Sequence, residues 1–103
     1  MDKKKSELIR ELKKFKEDNK IQKLILFGSR AKYKVVDENS DVDLIVVSSR
    51  FNGIKSFKRY PLLRRKWKLA YPVDMLCYTP EEFKKSKSLP TIIREAVKNG
   101  IEI

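Results

Sequence analysis

Three aspartates and one turn are the residues of this chain whose types and spacing could do chemistry. Asp41 and Asp43 open an apolar run, Ser40-Asp41-Val42-Asp43-Leu44-Ile45-Val46-Val47, and Asp74 lies inside another, Val73-Asp74-Met75-Leu76-Cys77-Tyr78. Upstream, a further run ends in Phe27-Gly28-Ser29-Arg30-Ala31. Side chains alternate along a strand, so Asp41 and Asp43 share a face, with Cα atoms roughly 6.5 Å apart. Two carboxylates at that spacing repel unless a cation lies between them. Mg2+ prefers oxygen ligands and usually takes one or two protein carboxylates together with phosphates and water. A neighbouring strand that brings Asp74 alongside would complete a cluster able to hold metal on a triphosphate and activate a hydroxyl. Gly28 lets backbone approach a phosphate closely, and amides at the start of a following helix favour an anion. The Ser29 hydroxyl can donate to a phosphate oxygen, and Arg30 can add positive charge.

Each of these features has a plainer reading. A Gly-Ser after a strand is usually a turn, an Asp-x-Asp before an apolar run is often a solvated strand start, and a lone Asp in a strand suits an edge. Their order gives them weight: strand, Gly-Ser, short helix, loop, Asp-x-Asp strand, helix, then a strand with an embedded Asp.

The elements that must position these residues follow from periodicity. Leu8, Ile9, Leu12 and Phe15 recur at helical spacing, so a first amphipathic helix spans about residues 5 to 18, closed by Asp18-Asn19. Ile21 to Phe27 reads as a strand, Arg30 to Lys34 as a short helix, and Asp37 to Ser40 as a polar loop. Asp41 to Ser48 is the second strand. Its Val42, Leu44 and Val46 face helices, while Ile45 and Val47 continue the aspartate face into the core. Ser49 to Ser56 is a loop. Pro61 suits the first turn of a helix with Leu63, Trp67 and Ala70 on one face, broken by Tyr71-Pro72. Val73 to Tyr78 is the third strand. Thr79-Pro80-Glu81-Glu82 combines a capping Thr, a first-position Pro and first-turn acids, a helix start. Ser88-Leu89-Pro90 opens a last helix through Ile92, Ile93, Ala96 and Val97, ended by Gly100. The class is therefore α/β or α+β, a small sheet with helices packed on it, in one domain spanning 1–103.

Composition narrows the chemistry further. The chain has no histidine and one cysteine, Cys77. Intrachain disulfides, a Cys/His zinc site and histidine catalysis are excluded, and any base must be Asp, Glu, Lys, Tyr or a metal-bound water. Cys77 reads as a buried small hydrophobe. The net charge of +11 suits polyanions, whether nucleotides, nucleic acid or an acidic protein. A solvating lysine surface explains the same number. No apolar stretch approaches membrane-span length, so a cytoplasmic protein is expected.

With these residues in place, the chain resembles the minimal nucleotidyltransferases, small members of the DNA polymerase β-like superfamily, over nearly its whole length. Gly28, Ser29, Asp41, Asp43 and Asp74 fill the signature of Gly-Ser, spacer, Asp-x-Asp and distant Asp, with residues 30 to 40 as an eleven-residue spacer. The resemblance implies an α-β-α-β-α-β fold with a mixed sheet, and transfer of a nucleoside monophosphate from an NTP to a hydroxyl with release of pyrophosphate. It implies that Asp41 and Asp43 bind Mg2+, in a site that takes two metal ions, and that Asp74 helps a metal activate the acceptor. Gly28 and Ser29 would hold the triphosphate, joined by Arg30. Minimal members commonly pair with a separate helical HEPN protein. In such toxin–antitoxin pairs the partner's tyrosine is AMP-modified from ATP, so an antitoxin role and a HEPN-type partner are implied here as well.

Two other classes stay open at this level. One is a catalytically weak member that only binds or scaffolds a HEPN partner, against which the complete signature argues. The other is a nucleic-acid binder. Residues 55 to 68 hold seven basic residues and no acid, interleaved with Phe57, Tyr60 and Trp67, a pattern that suits a stacking and electrostatic surface. The alternative there is that Leu63 and Trp67 face the core and the basic residues are solvated.

Overall fold

A computed structural model describes residues 3–32, 39–85 and 89–103. The elements run α1 (Lys3–Asp18), β1 (Lys23–Phe27), α2 (Ser29–Lys32), β2 (Val42–Val47), α3 (Ser56–Arg64), β3 (Val73–Tyr78), α4 (Pro80–Lys84), α5 (Thr91–Asn99) and β4 (Ile101–Glu102). The four strands form one mixed sheet in the order β3-β2-β1-β4. β1 pairs antiparallel with β2 and with β4, while β2 and β3 run parallel. This is the mixed α/β architecture expected from the sequence, with α4, α5 and β4 following its α-β-α-β-α-β core. The end of the helix expected over 30–34, the start of the loop at 37–38 and Ser88 all lie outside the described residues.

The sheet separates two apolar clusters, and the strands' alternation decides which residue joins which. On one face Val42, Leu44 and Val46 pack with Leu8, Leu12 and Phe15 of α1 and with Trp67. On the other face Ile45 and Val47 pack with Ile25 and with Leu89, Ile93 and Ala96 at α5. The side chains that hold α1 to the sheet fall at i, i+4 and i+7. Leu12 is fully buried and Leu8 is 2% exposed, each contributing about 1.5–3 kcal/mol by removal from water. α1 then ends in a left-handed residue, Lys20 (φ 53°), with the Ile21 amide donating back to the Lys16 carbonyl at 3.0 Å.

Two expectations are corrected. The segment 49–56 is not simply a loop: Ser49–Phe51 forms a single 3-10 turn, capped by the buried Ser48, whose hydroxyl accepts from the Arg50 amide at 3.2 Å. The third helix begins at Ser56, so Pro61 stands inside it rather than in its first turn, and it ends at Arg64 before Trp67 and Ala70. A proline there removes the bond to the carbonyl of Phe57. The helix forms nonetheless because its side chains anchor it to the outer edge of β3. Arg59 donates to the carbonyl of Cys77 at 3.3 Å and of Ile54 at 2.8 Å, and Tyr60 donates to the carbonyl of Val73 at 2.9 Å. These bonds also cover an edge that would otherwise offer open carbonyls. Trp67 is buried by a different route, edge-on to Phe15 at 5.1 Å and donating to the Tyr71 carbonyl at 2.8 Å. Leu63 and Trp67 therefore do face the core, and of the three aromatic residues in the basic segment only Phe57 stands fully exposed.

Arg59 is the exception within that segment: it is 6% exposed, not solvated. Its guanidinium meets Glu82 at 2.6 Å, and Glu82 closes a capping box with Thr79 at the start of α4. The hydrogen bond from Arg59, and then the one from the Thr79 amide, hold the Glu82 carboxyl below its ordinary value. A carboxyl lowered in this way stabilises the fold above the usual glutamate range, and that stabilisation is lost as pH falls through the folded value. Arg59→Ala should lower unfolding stability by about 2–3 kcal/mol, the scale of losing charge-assisted bonds and leaving buried acceptors unmet. Urea titration at neutral pH reads this directly. A change under about 0.5 kcal/mol would mean that α3 and α4 are held by apolar packing alone.

Candidate active site

Register brings the aspartates together. β2 and β3 pair with Asp43 opposite Asp74, and β1 pairs with β2 so that Phe27 lies opposite Asp43. Phe27, Asp43 and Asp74 therefore form one row across the sheet, on the face that α5 covers further along. Asp41 sits one residue before β2, exposed to solvent. Here the Val42 amide donates to the Pro72 carbonyl at 2.8 Å and ties the starts of the two strands together.

Gly28 ends the row. Its φ is +74°, a left-handed conformation that glycine adopts without strain. A Cβ added there would stand 2.5 Å from Oδ2 of Asp43. The turn's backbone thus lies directly against the Asp43 carboxylate, leaving no room for a side chain at position 28. α2 begins at once, with the amides of Ala31 and Lys32 both donating to the Gly28 carbonyl at 3.2 and 3.1 Å.

A cleft of about 1060 Å³ opens over this row, lined by Phe27, Gly28, Ala31, Lys32, Asp43, Asp74, Leu76 and the face of α5 that carries Ile92, Glu95 and Asn99. Of the expected site residues it gathers Gly28, Asp43 and Asp74, while Ser29 and Asp41 lie outside its lining. Arg30 points elsewhere. It is 8% exposed, its Nε and Nη2 donate to the Ser40 carbonyl at 3.0 and 2.9 Å, and its guanidinium stacks 4.7 Å from the Tyr71 ring. In this position Arg30 clamps the chain just before Asp41, which is a positioning role. Lys32 was missed from the sequence and brings a cation to the cleft. Its signal was there, since it falls four residues after Gly28, one helical turn along, in the short helix that follows the turn.

The electrostatics of the row are unbalanced. The chain carries 25 Lys and Arg residues. Yet among the described residues none of the carboxylates of Asp41, Asp43 and Asp74 has a hydrogen-bond or ion-pair partner. Burial, then repulsion from Asp74, then repulsion from Asp41 push the Asp43 carboxyl above its ordinary value. A divalent cation would relieve that repulsion. Among the described residues no group of three or more His, Cys, Asp or Glu side chains is gathered tightly enough to ligate one ion. The oxygen donors present are Asp43 and Asp74, opposite each other in register, with Asp41 nearby, a set that would leave further positions to phosphates and water as Mg2+ prefers. Cys77, on the same strand as Asp74 and facing the other cluster, takes no part: burial, opposed by Arg59 and reinforced by Asp74, pushes its thiol up to about 12.

The model of the nucleotidyltransferase domain family matches residues 7–103. Neither a curated protein nor a solved structure matches the chain. Among the described residues no helix is long and apolar enough to cross a membrane.

Proposed function

Since the chain belongs to the nucleotidyltransferase domain family, whose reaction class is nucleotidyl transfer, we propose that it transfers AMP from ATP to a hydroxyl of a partner protein. By the resemblance to minimal nucleotidyltransferases, that hydroxyl is a tyrosine of a helical HEPN-type toxin, and the chain is its antitoxin. The observation that carries transfer is the row of carboxylates, without a hydrogen-bond or ion-pair partner among the described residues, against the glycine turn of a chain rich in cations. A net charge of +11 also favours encounter with acidic partners and with ATP.

Asp43 and Asp74 would hold a divalent cation, with Asp41 beside them. When bound, it neutralises the triphosphate and lowers the pKa of an oxygen it contacts. The turn at Gly28 seats the phosphates against Asp43, and Lys32 adds charge to the same end of the cleft. The acceptor oxygen attacks the α-phosphorus, the α–β bridging bond breaks, and pyrophosphate leaves. Asp74, from the other strand, would take up the acceptor's proton. Arg30 acts through Ser40, fixing the segment that delivers Asp41.

The test is incubation of the chain with Mg2+ and ATP labelled at the α- or the γ-phosphorus, together with proteins co-purified from the native source. Label should reach a tyrosine of a helical partner from the α position only. Label from the γ position would mean phosphoryl transfer and reject this reading.

A further inference from the structure

We infer that α5 forms the base subsite of the cleft, and that its Glu95 selects a nucleobase bearing an exocyclic amino group. The inference rests on the nucleotidyl-transfer reading and names the part of the substrate that this wall accepts. Ile92, Glu95 and Asn99 fall at i, i+3 and i+7, a single helix face, and all three line the same cleft as Gly28, Asp43 and Asp74. The neighbouring face of α5 is already spent: Ile93 is 2% exposed and holds the helix to the sheet. Ile92, one residue away, is 65% exposed. The fold leaves this large apolar side chain uncovered at the rim of a cleft whose other end is charged.

α5 runs along the cleft, and its C-terminal end meets the turn, because Gly100 lies against the Leu26 carbonyl and Ile101 pairs with Leu26. The carboxylates and the turn sit at one end. Leu76 lies two residues beyond Asp74 on the same strand face and begins an apolar floor. Ile92, seven residues before Asn99 on α5, is set back from the turn by roughly 10 Å of helix and offers an apolar platform. A triphosphate seated at Gly28 therefore directs its sugar and flat base toward α5, where the base covers Ile92 and Leu76. Ligand sites of this kind are largely apolar with a few placed polar groups, and here those groups are Glu95 and Asn99. Among the described residues neither side chain has a hydrogen bond or ion pair. A carboxylate only accepts, whereas an amide both donates and accepts. The base edge that meets Glu95 must therefore donate. Adenine, guanine and cytosine present an exocyclic amino group, whereas uracil's ring donor, N3–H, lies between two carbonyl oxygens that Glu95 would repel.

The experiment is calorimetric titration of the full chain, in Mg2+, with each of the four common ribonucleoside triphosphates and with inorganic tripolyphosphate. Ile92→Ser, Glu95→Gln and Asn99→Ala change exposed residues, and circular dichroism checks that each is folded. Wild type should bind at least one amino-bearing NTP about tenfold or more tighter than UTP, the range for a base edge matched or mismatched to its polar partner. Glu95→Gln should reduce that ratio to below about threefold, because an amide can serve either edge. Ile92→Ser should weaken every NTP about fivefold or more while tripolyphosphate binding stays unchanged. Asn99→Ala should weaken the preferred NTP and likewise spare tripolyphosphate. NTP affinities and the UTP ratio that stay at wild-type values in all three variants, while Asp43→Asn still loses Mg2+-ATP, would overturn the base subsite and leave the transfer reading standing. Failure of wild type to bind either ATP or tripolyphosphate with Mg2+ would remove the transfer reading and this inference together.

Discussion

Asp43→Asn should reduce nucleotidyl transfer at least about a thousandfold, the upper end for removing one preorganised electrostatic group, while making the folded chain more stable at neutral pH. Loss of activity follows from position. Asp43 stands between Phe27 and Asp74 in the sheet and against the backbone of Gly28, so it faces both the glycine turn and the second carboxylate. The gain in stability follows from the raised carboxyl. Burial, Asp74 and Asp41 all disfavour its ionised form, so the native state binds this proton more tightly than the unfolded chain does. Stability then falls as pH climbs from the ordinary value of 3.8 through the raised folded value. The asparagine removes that penalty. Its advantage should be absent below about pH 3.8, where both states are protonated, and complete at neutral pH. Thermal melts across pH, without divalent cations, read the effect. A mutant that melts below wild type at pH 7 would show that Asp43 is a structural residue with a partner. Added Mg2+ should narrow the gap by stabilising wild type alone.

Asp74→Asn should separate binding from chemistry. Asp74 is the exposed member of the pair and comes from the other strand. Asp43 is the member pressed against the turn. With Asp43 and the neighbouring Asp41 still present to hold the cation on the triphosphate, removing the Asp74 charge should leave Mg2+-ATP affinity within about tenfold of wild type, or roughly 1.4 kcal/mol. Transfer should fall at least about a hundredfold, the low end for losing a positioned acid–base or electrostatic group. Equal losses of binding in Asp43→Asn and Asp74→Asn would mean that the carboxylates act as one indivisible cluster.

What could be read from the sequence was whatever depends on local period or on residue chemistry. The strand alternation placed Val42, Leu44 and Val46 opposite the aspartate face, and Thr79-Pro80-Glu81-Glu82 announced the start of α4 with its capping Thr, first-position Pro and first-turn acids. Gly28 and the aspartates were identifiable because glycine beside a strand and paired carboxylates have few other uses in combination. What was not legible depended on contacts distant in sequence. Pro61 reads locally as a helix start, and only the grip of Arg59 and Tyr60 on β3 extends the helix back to Ser56. Arg30 next to a phosphate turn suggests an anion ligand, until the Ser40 carbonyl and the Tyr71 ring claim its guanidinium. Arg59 looked like one of many solvated cations, and its burial rests on Glu82, 23 residues away. The α5 wall was invisible for the same reason, since nothing in residues 91–99 tells which of its faces borders Asp43.

The central claim is that Asp43 and Asp74 form a cation-dependent nucleotide site against Gly28. Calorimetric titration of ATP into wild type and Asp43→Asn, each with Mg2+ and with EDTA, addresses it most directly. Binding should be seen in wild type with Mg2+, and should be lost both in EDTA and in the mutant. Binding of equal strength in the mutant, or in EDTA, would place the nucleotide elsewhere and contradict the site described.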